Sequence, residues 1–193
     1  MPRLFAAPPD HAGGGITPVE LSGVPGAIDE GAVRLKYGRL TRLLIRQNIS
    51  VTTMESCTSG QIASLITDTE GASAVFRGAY VTYCNAAKIA LGVPAEVIEA
   101  HGVYSAQTAV AMAEACRAAF AAGIGIGVTG SFGNIDPNNA DSVPGEVFFA
   151  IATDGGVVPF HCAVPAQPSR LAYKLYMADV IAEALLGALP GGL

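Results

Sequence analysis

The sequence predicts an α/β domain, a three-layer α/β/α sandwich with a mixed sheet, on three observations. Extended and helical patterns alternate from about Gly31 onward. The last two extended runs flank Asp154-Gly155-Gly156, the turn chemistry of an antiparallel hairpin. Hydrophobic residues make up 51% of the chain and charged ones only 14%, which suits closely packed layers and not a disordered polymer.

The elements follow in order. Residues 1–30 are rich in proline and glycine and hold no period, so they read as an N-terminal extension, partly ordered, ahead of one domain over residues 31–193. "AVRLKYGRLTRLLIRQN" brings Leu35, Leu40, Leu43 and Leu44 close to helical spacing. The β-branched run "ISVTTME" predicts a strand, and "TSGQIASLITD" a short helix starting near Thr58. "AVFRGAYVTYC" predicts a second strand and "NAAKIALGV" a helical turn. "PAEVIEAHG" is a short helix with proline at its start and glycine past its end. "SAQTAVAMAEACRAAFAAG" is the clearest helix, with Ser105 as N-cap and Gly123 as its stop. "IGIGVTG" is a strand whose glycines permit close packing. "GEVFFAIAT" and "VVPFHCAV" form the hairpin, and a closing helix carries the stripe Leu171, Leu175, Ala178, Ala182 and Leu185.

Composition excludes several classes of function. A net charge of -5 leaves no footprint for nucleic acid or an anionic membrane, and the basic residues of 34–46 fit a solvated helix face. No uninterrupted apolar run is long enough to span a bilayer. The cysteines at 57, 84, 116 and 162 form no close pair, and His11, His101 and His161 stand alone, so a metal site is not expected. Widely spaced thiols without a secretory pattern point to a reducing, cytoplasmic setting.

Three segments have the character of a site, because ligands of such sheets bind at strand carboxyl ends, near helix N-termini. In "ESCTSG" the strand hands over Glu55, Ser56 and Cys57 to a helix start, whose N–H groups at Thr58, Ser59 and Gly60 suit a phosphate or carboxylate. The plainer alternative is an ordinary cap. In "EGASAVFRGAYVTYCNAAK", Ser73, Tyr83 and Lys88 gather around one strand. A neutral lysine can activate a serine, with Tyr83 orienting the lysine or donating to the substrate, yet Ser73 as a cap and Lys88 as a surface cation also fit. The third segment leaves a strand at Thr129-Gly130 and runs as a long polar loop to Gly145, a length that often marks function and equally suits a surface tip. Asp136 and Asp141 in it suit turns better than a metal. Ser56 sits where an esterase serine would but lacks the glycines of G-x-S-x-G, and no pattern ties Cys57 to His101 or His161 as a cysteine hydrolase.

Taken together, "VTTMESCTSG", "GASAVFRGAYVTYCNAAKIALGV", "HGVYSAQTAVAMA" and "GVTG" followed by "VPGEVFFAI" resemble the C-terminal domain of the competence/damage-inducible protein A (CinA) family, the nicotinamide-nucleotide amidases. The likeness covers roughly residues 35–187. It implies an amidohydrolase that deamidates nicotinamide mononucleotide to nicotinic acid mononucleotide and ammonia, without metal or organic cofactor, in a homo-oligomer. By motif position it implies Ser73 as nucleophile, Lys88 as base and Tyr83 beside them. Glu55, Ser56, Thr58, Thr129 and Gly130 fall in substrate-binding segments. The family's T-G-I-A-G-P is here "TGSFGNIDPNN", and its G-D-R before the last helix is "AQPSR", with Arg170 offset by about two positions. Those departures touch the substrate regions. They leave open a non-catalytic nucleotide-binding or regulatory homologue, or an amidase for another small amide.

Overall fold

The computed structural model describes residues 16–22, 26–139 and 142–192. In chain order they form β1 (Val19–Ser22), α1 (Glu30–Gln47), β2 (Val51–Glu55), α2 (Gln61–Thr67), a 3₁₀ turn (Ala72–Ala74), β3 (Phe76–Val81), α3 (Asn85–Ala90), α4 (Ala95–His101), α5 (Ala106–Ala119), β4 (Ile124–Gly130), β5 (Glu146–Thr153), β6 (Gly156–Ala163) and α6 (Arg170–Ala188). The six strands make one sheet in the order β1-β6-β5-β4-β2-β3. β2 runs parallel to both β3 and β4, whereas β5 is antiparallel to β4 and β6, and β1 is parallel to β6. The sheet is mixed with helices on both faces, as the alternating pattern predicts.

Periodicity decides which face each helix buries. α1 turns Val33, Tyr37, Leu40 and Leu44 inward, together with Leu175, Ile181 and Leu185 of α6 and Ile62 and Leu65 of α2, onto Ile126 and Phe149 of the sheet. Two members of the expected stripes face out instead: Leu35 is 75% and Leu171 49% exposed. Val33 and Tyr37 take the inward positions in α1, and the Tyr37 hydroxyl donates to the Ala178 carbonyl of α6 at 2.9 Å. Asp29 caps α1 by accepting from the Gly31 and Ala32 N–H groups. Ser105 caps α5 as expected, although that helix stops at Phe120, three residues before Gly123.

The opposite face belongs largely to α5. Ala109 and Ala113 pack on Ala150 and Ala152, and Met112 and Cys116 pack beside Met54. The backbones of α5 and β4 touch because β4 has no side chain where they cross. A Cβ on Gly125 would lie 2.2 Å from the Ala113 carbonyl oxygen, and one on Gly127 2.3 Å from that of Ala109. This close approach holds β4 rigid in the middle of the sheet and leaves its carboxyl end, at Thr129-Gly130, beside that of β2.

β1 arises inside the segment read as an extension. Its register pairs Val19 with Phe160 and Leu21 with Cys162. Four residues between a proline and a glycine-rich stretch show no alternation strong enough to mark a strand, and pairing with β6 supplies what propensity lacks. Residues 1–15 and Asp141 lie outside the described residues.

Candidate active site

Parallel pairing of β2 with β3 brings their carboxyl ends side by side. The ladders continue one residue past each strand: Ser56 N–H donates to the Val128 carbonyl at 3.0 Å, and Thr82 N–H to the Glu55 carbonyl at 2.8 Å. From Thr82 the chain turns through Cys84 into α3, and Lys88 in its last turn reaches back. The Lys88 amine lies 3.0 Å from Ser56 Oγ and donates to the Thr82 carbonyl at 2.9 Å. Lys88 is 1% exposed and Ser56 6%. Burial lowers the pKa of Lys88, and the neighbouring Cys57, Cys84 and Asp136 offset that only in part.

Ser73 does not join this pair. It sits exposed in the 3₁₀ turn Ala72–Ala74 at the amino end of β3, whereas Lys88 follows the carboxyl end. The six residues of β3 put about 20 Å between those ends. The expected Ser73–Lys88 pairing is therefore not formed, and Ser56 takes the place beside the lysine.

Ser56 opens into a cavity of about 530 Å³ whose walls include Tyr83, Asn85, Tyr104, Phe132, Asp136 and Arg170. Arg170, the first residue of α6, donates to the Tyr83 hydroxyl at 3.1 Å and lies 5.4 Å from the centroid of the Phe132 ring. Phe132 in turn stacks on Tyr173. Tyr83 thus reaches the site as expected, but it orients Arg170 and not Lys88. Gly130 also lines the cavity, and a Cβ there would meet the Glu146 carbonyl at 2.7 Å.

The long loop folds back over this cavity through a polar network that no sequence motif announces. Asp136 accepts from the Tyr104 hydroxyl at 2.6 Å, from the Asn138 N–H at 2.9 Å and from the Asn139 amide at 2.5 Å. Asn139 accepts from the Asn85 amide of α3 at 3.0 Å, and Asp136 N–H donates to Ser142 Oγ at 2.7 Å. The Tyr104 hydroxyl first, then the Asn138 and Asn139 donors, hold the Asp136 pKa at about 2.

Three residues expected to touch substrate lie behind the wall. Glu55 is fully buried and accepts from Thr53 Oγ1 at 2.9 Å, Ile62 N–H at 3.1 Å and Ala63 N–H at 2.9 Å. It fills the N-terminal end of α2, which starts at Gln61 and not near Thr58, so that helix end has no room for a phosphate. Thr58 is fully buried, and Thr129 donates to the Val103 carbonyl at 2.8 Å, pinning the approach to α5. Cys57 lines the cavity beside Ser56, but burial pushes its thiol up to about 12, so it stays protonated at neutral pH. His161 is engaged with Glu20 and Glu146, and His101 ends α4, so neither partners Cys57. Among the described residues no group of three His, Cys, Asp or Glu could hold a metal, and no helix is long and apolar enough to cross a membrane.

Comparison with known proteins identifies the family and the fold. The model of the CinA C-terminal domain matches residues 36–183. A CinA-like protein of Gemmatimonas aurantiaca is 36% identical over 129 residues, covering 66% of this chain and 30% of that protein. One of Flavobacterium psychrophilum is 41% identical over 121 residues, covering 61% and 28%. The chain thus spans less than a third of the length of these curated relatives. The crystal structure of competence/damage inducible protein CihA from Agrobacterium tumefaciens superposes with a TM-score of 0.75 at 28% identity, over 84% of this chain and 99% of that one. With the family match extending from within α1 to within α6, and so over both halves of the cavity, this chain belongs to the CinA C-terminal domain family.

Proposed function

We propose that the protein is an amidohydrolase that deamidates nicotinamide mononucleotide, with Ser56 as nucleophile and Lys88 as base. The single observation that carries this reading is the 3.0 Å approach of the buried Lys88 amine to Ser56 Oγ, where Ser56 lines a cavity of nucleotide size. With the amine neutral, one N–H holds the Thr82 carbonyl, and the nitrogen lone pair is left to accept the serine proton.

The steps balance as an ordinary acyl transfer. Ser56 Oγ bonds to the carboxamide carbon while its proton passes to Lys88. Collapse of the tetrahedral adduct breaks the C–N bond, and Lys88 returns the proton to the departing nitrogen, releasing ammonia. Water then attacks the acyl ester, again giving its proton to Lys88, and the carboxylate leaves as Ser56 is regenerated. In the turn after Ser56, the N–H groups of Ser59 and Gln61 already donate to the Ser56 and Thr58 carbonyls. Those of Cys57 and Thr58, nearest the nucleophile, are the candidates for the oxyanion. Arg170, held by Tyr83 over Phe132, is the candidate for the phosphate, by bidentate pairing. No step calls on a metal or organic cofactor, and the carrying-over of a homo-oligomer and a cytoplasmic setting belongs to the same family reading.

Ammonia release from nicotinamide mononucleotide by the purified protein tests this reading. Ser56→Ala and Lys88→Ala are expected to lose about a thousandfold or more in kcat/KM, whereas Ser73→Ala stays within a few fold. Loss in Ser73→Ala with retention in Ser56→Ala would return the nucleophile to Ser73. Calorimetric binding of the nucleotide without ammonia release would instead mark a regulatory homologue.

A further inference from the structure

The loop between β4 and β5 places one feature in the cavity that the reaction itself does not use. Asp136 lines the same cavity as Ser56, and both of its carboxylate oxygens are fixed. One accepts from Asn138, the other from Tyr104 and Asn139. Every one of those donors is neutral. The ion pairs among the described residues all lie elsewhere, so no lysine, arginine or histidine is in direct ion-pair contact with this carboxylate, although it acts on Lys88 at longer range. Its low pKa keeps it charged at any working pH.

We infer that Asp136 is a specificity-determining residue, the counter-charge that selects a substrate whose heterocycle is cationic. The inference rests on the proposed deamidase reading and extends it to the charge state of the ring. A carboxylate immobilised by neutral donors spends no reorganisation when a cation arrives, and it penalises a neutral or anionic ring of the same shape. The aromatic ring of Tyr104 in the same wall also favours a positive, flat group. A pyridinium nucleotide has that charge, and its 1,4-dihydro form has the same outline with a neutral ring. Asp136 stands in "TGSFGNIDPNN", the segment in which this chain departs from the common family pattern. The selectivity is thus a property of this chain's own loop.

A structural role must be separated from an electrostatic one, because Asp136 also ties the loop to Tyr104. The experiment compares kcat/KM for nicotinamide mononucleotide and for its dihydro form, in the wild type and in Asp136→Asn. Loosening of the loop affects both substrates alike. Loss of the charge lowers the oxidised-to-dihydro ratio by about tenfold. A ratio that is unchanged in Asp136→Asn, even if both rates fall, overturns the inference. Should the wild type release no ammonia from either compound, the deamidase reading fails, and the same ratio taken from calorimetric Kd values still decides the role of Asp136.

Discussion

Lys88 and Ser56 are 32 positions apart in sequence, yet the amine and the hydroxyl oxygen lie 3.0 Å from each other. The parallel pairing of β2 and β3 is the cause, because it delivers both chain segments to the same edge of the sheet.

The pH dependence of activity follows from the burial of that amine. Burial moves the Lys88 pKa below its ordinary value of 10.5, and a proton-accepting lysine is active only when neutral. The rate therefore rises with pH through the lowered Lys88 pKa, with the midpoint of the rise below the ordinary lysine value. Removing the Asp136 charge, which raises the lysine pKa, moves this limb to lower pH. Profiles of kcat/KM against pH for the wild type and Asp136→Asn provide the check.

Glu55 predicts a loss of stability with its own signature. In Glu55→Gln one of the buried N–H groups of Ile62 or Ala63, or the Thr53 hydroxyl, faces an amide nitrogen that cannot accept. The expected cost is about 1–3 kcal/mol, read from the urea midpoint. The ammonia assay should show activity falling only as far as the folded fraction does.

Gly127→Ala is expected to be among the most damaging small substitutions. Its Cβ would meet the Ala109 carbonyl at 2.3 Å and the Ala113 nitrogen at 2.5 Å, both backbone atoms that no rotamer change can move aside. A cost of about 3 kcal/mol or more is expected, seen as a large fall in Tm or loss of folded protein.

The strand β1 is tied to the sheet by a titratable clasp. His161 of β6 lies between Glu20 of β1, at 2.6 Å, and Glu146 of β5, and it stacks on Phe148. Burial opposes a charge on the imidazole, but the two carboxylates outweigh it and its pKa is raised above 6.5. A raised pKa adds stability that is complete below about pH 6.5 and is lost as pH rises through the folded value. Tm should therefore decline over that interval in the wild type, and His161→Gln should flatten the decline.

The legible parts of this molecule were those with a local cause. The β-branched run before Glu55, the glycines of β4, the turn at Asp154-Gly155-Gly156 and the Ser105 cap each act within a few residues, and each element formed where expected. The identity of the serine beside Lys88 had no such cause. Ser73 and Lys88 flank the same strand, which looks like proximity in sequence, but a strand holds its two ends apart. The residues that meet are those at equivalent ends of neighbouring parallel strands, and that rule alone points from Lys88 to Ser56. The Tyr104–Asp136–Asn139–Asn85 network was illegible for a related reason: it joins three segments by single polar contacts that leave no period or motif.

The base of the site belongs to an edge. β3 has a strand on one side only, and α3, which bears Lys88, is a helix of six residues hung from its end. β2, which delivers the serine, is flanked by neighbours on both sides. Nucleophile and base are therefore carried by parts of unequal permanence, so warming frees the amine while the serine is still in register. Under the proposed reading, activity is expected to fade before the fold melts, at the temperature where amide hydrogen exchange in β3 quickens.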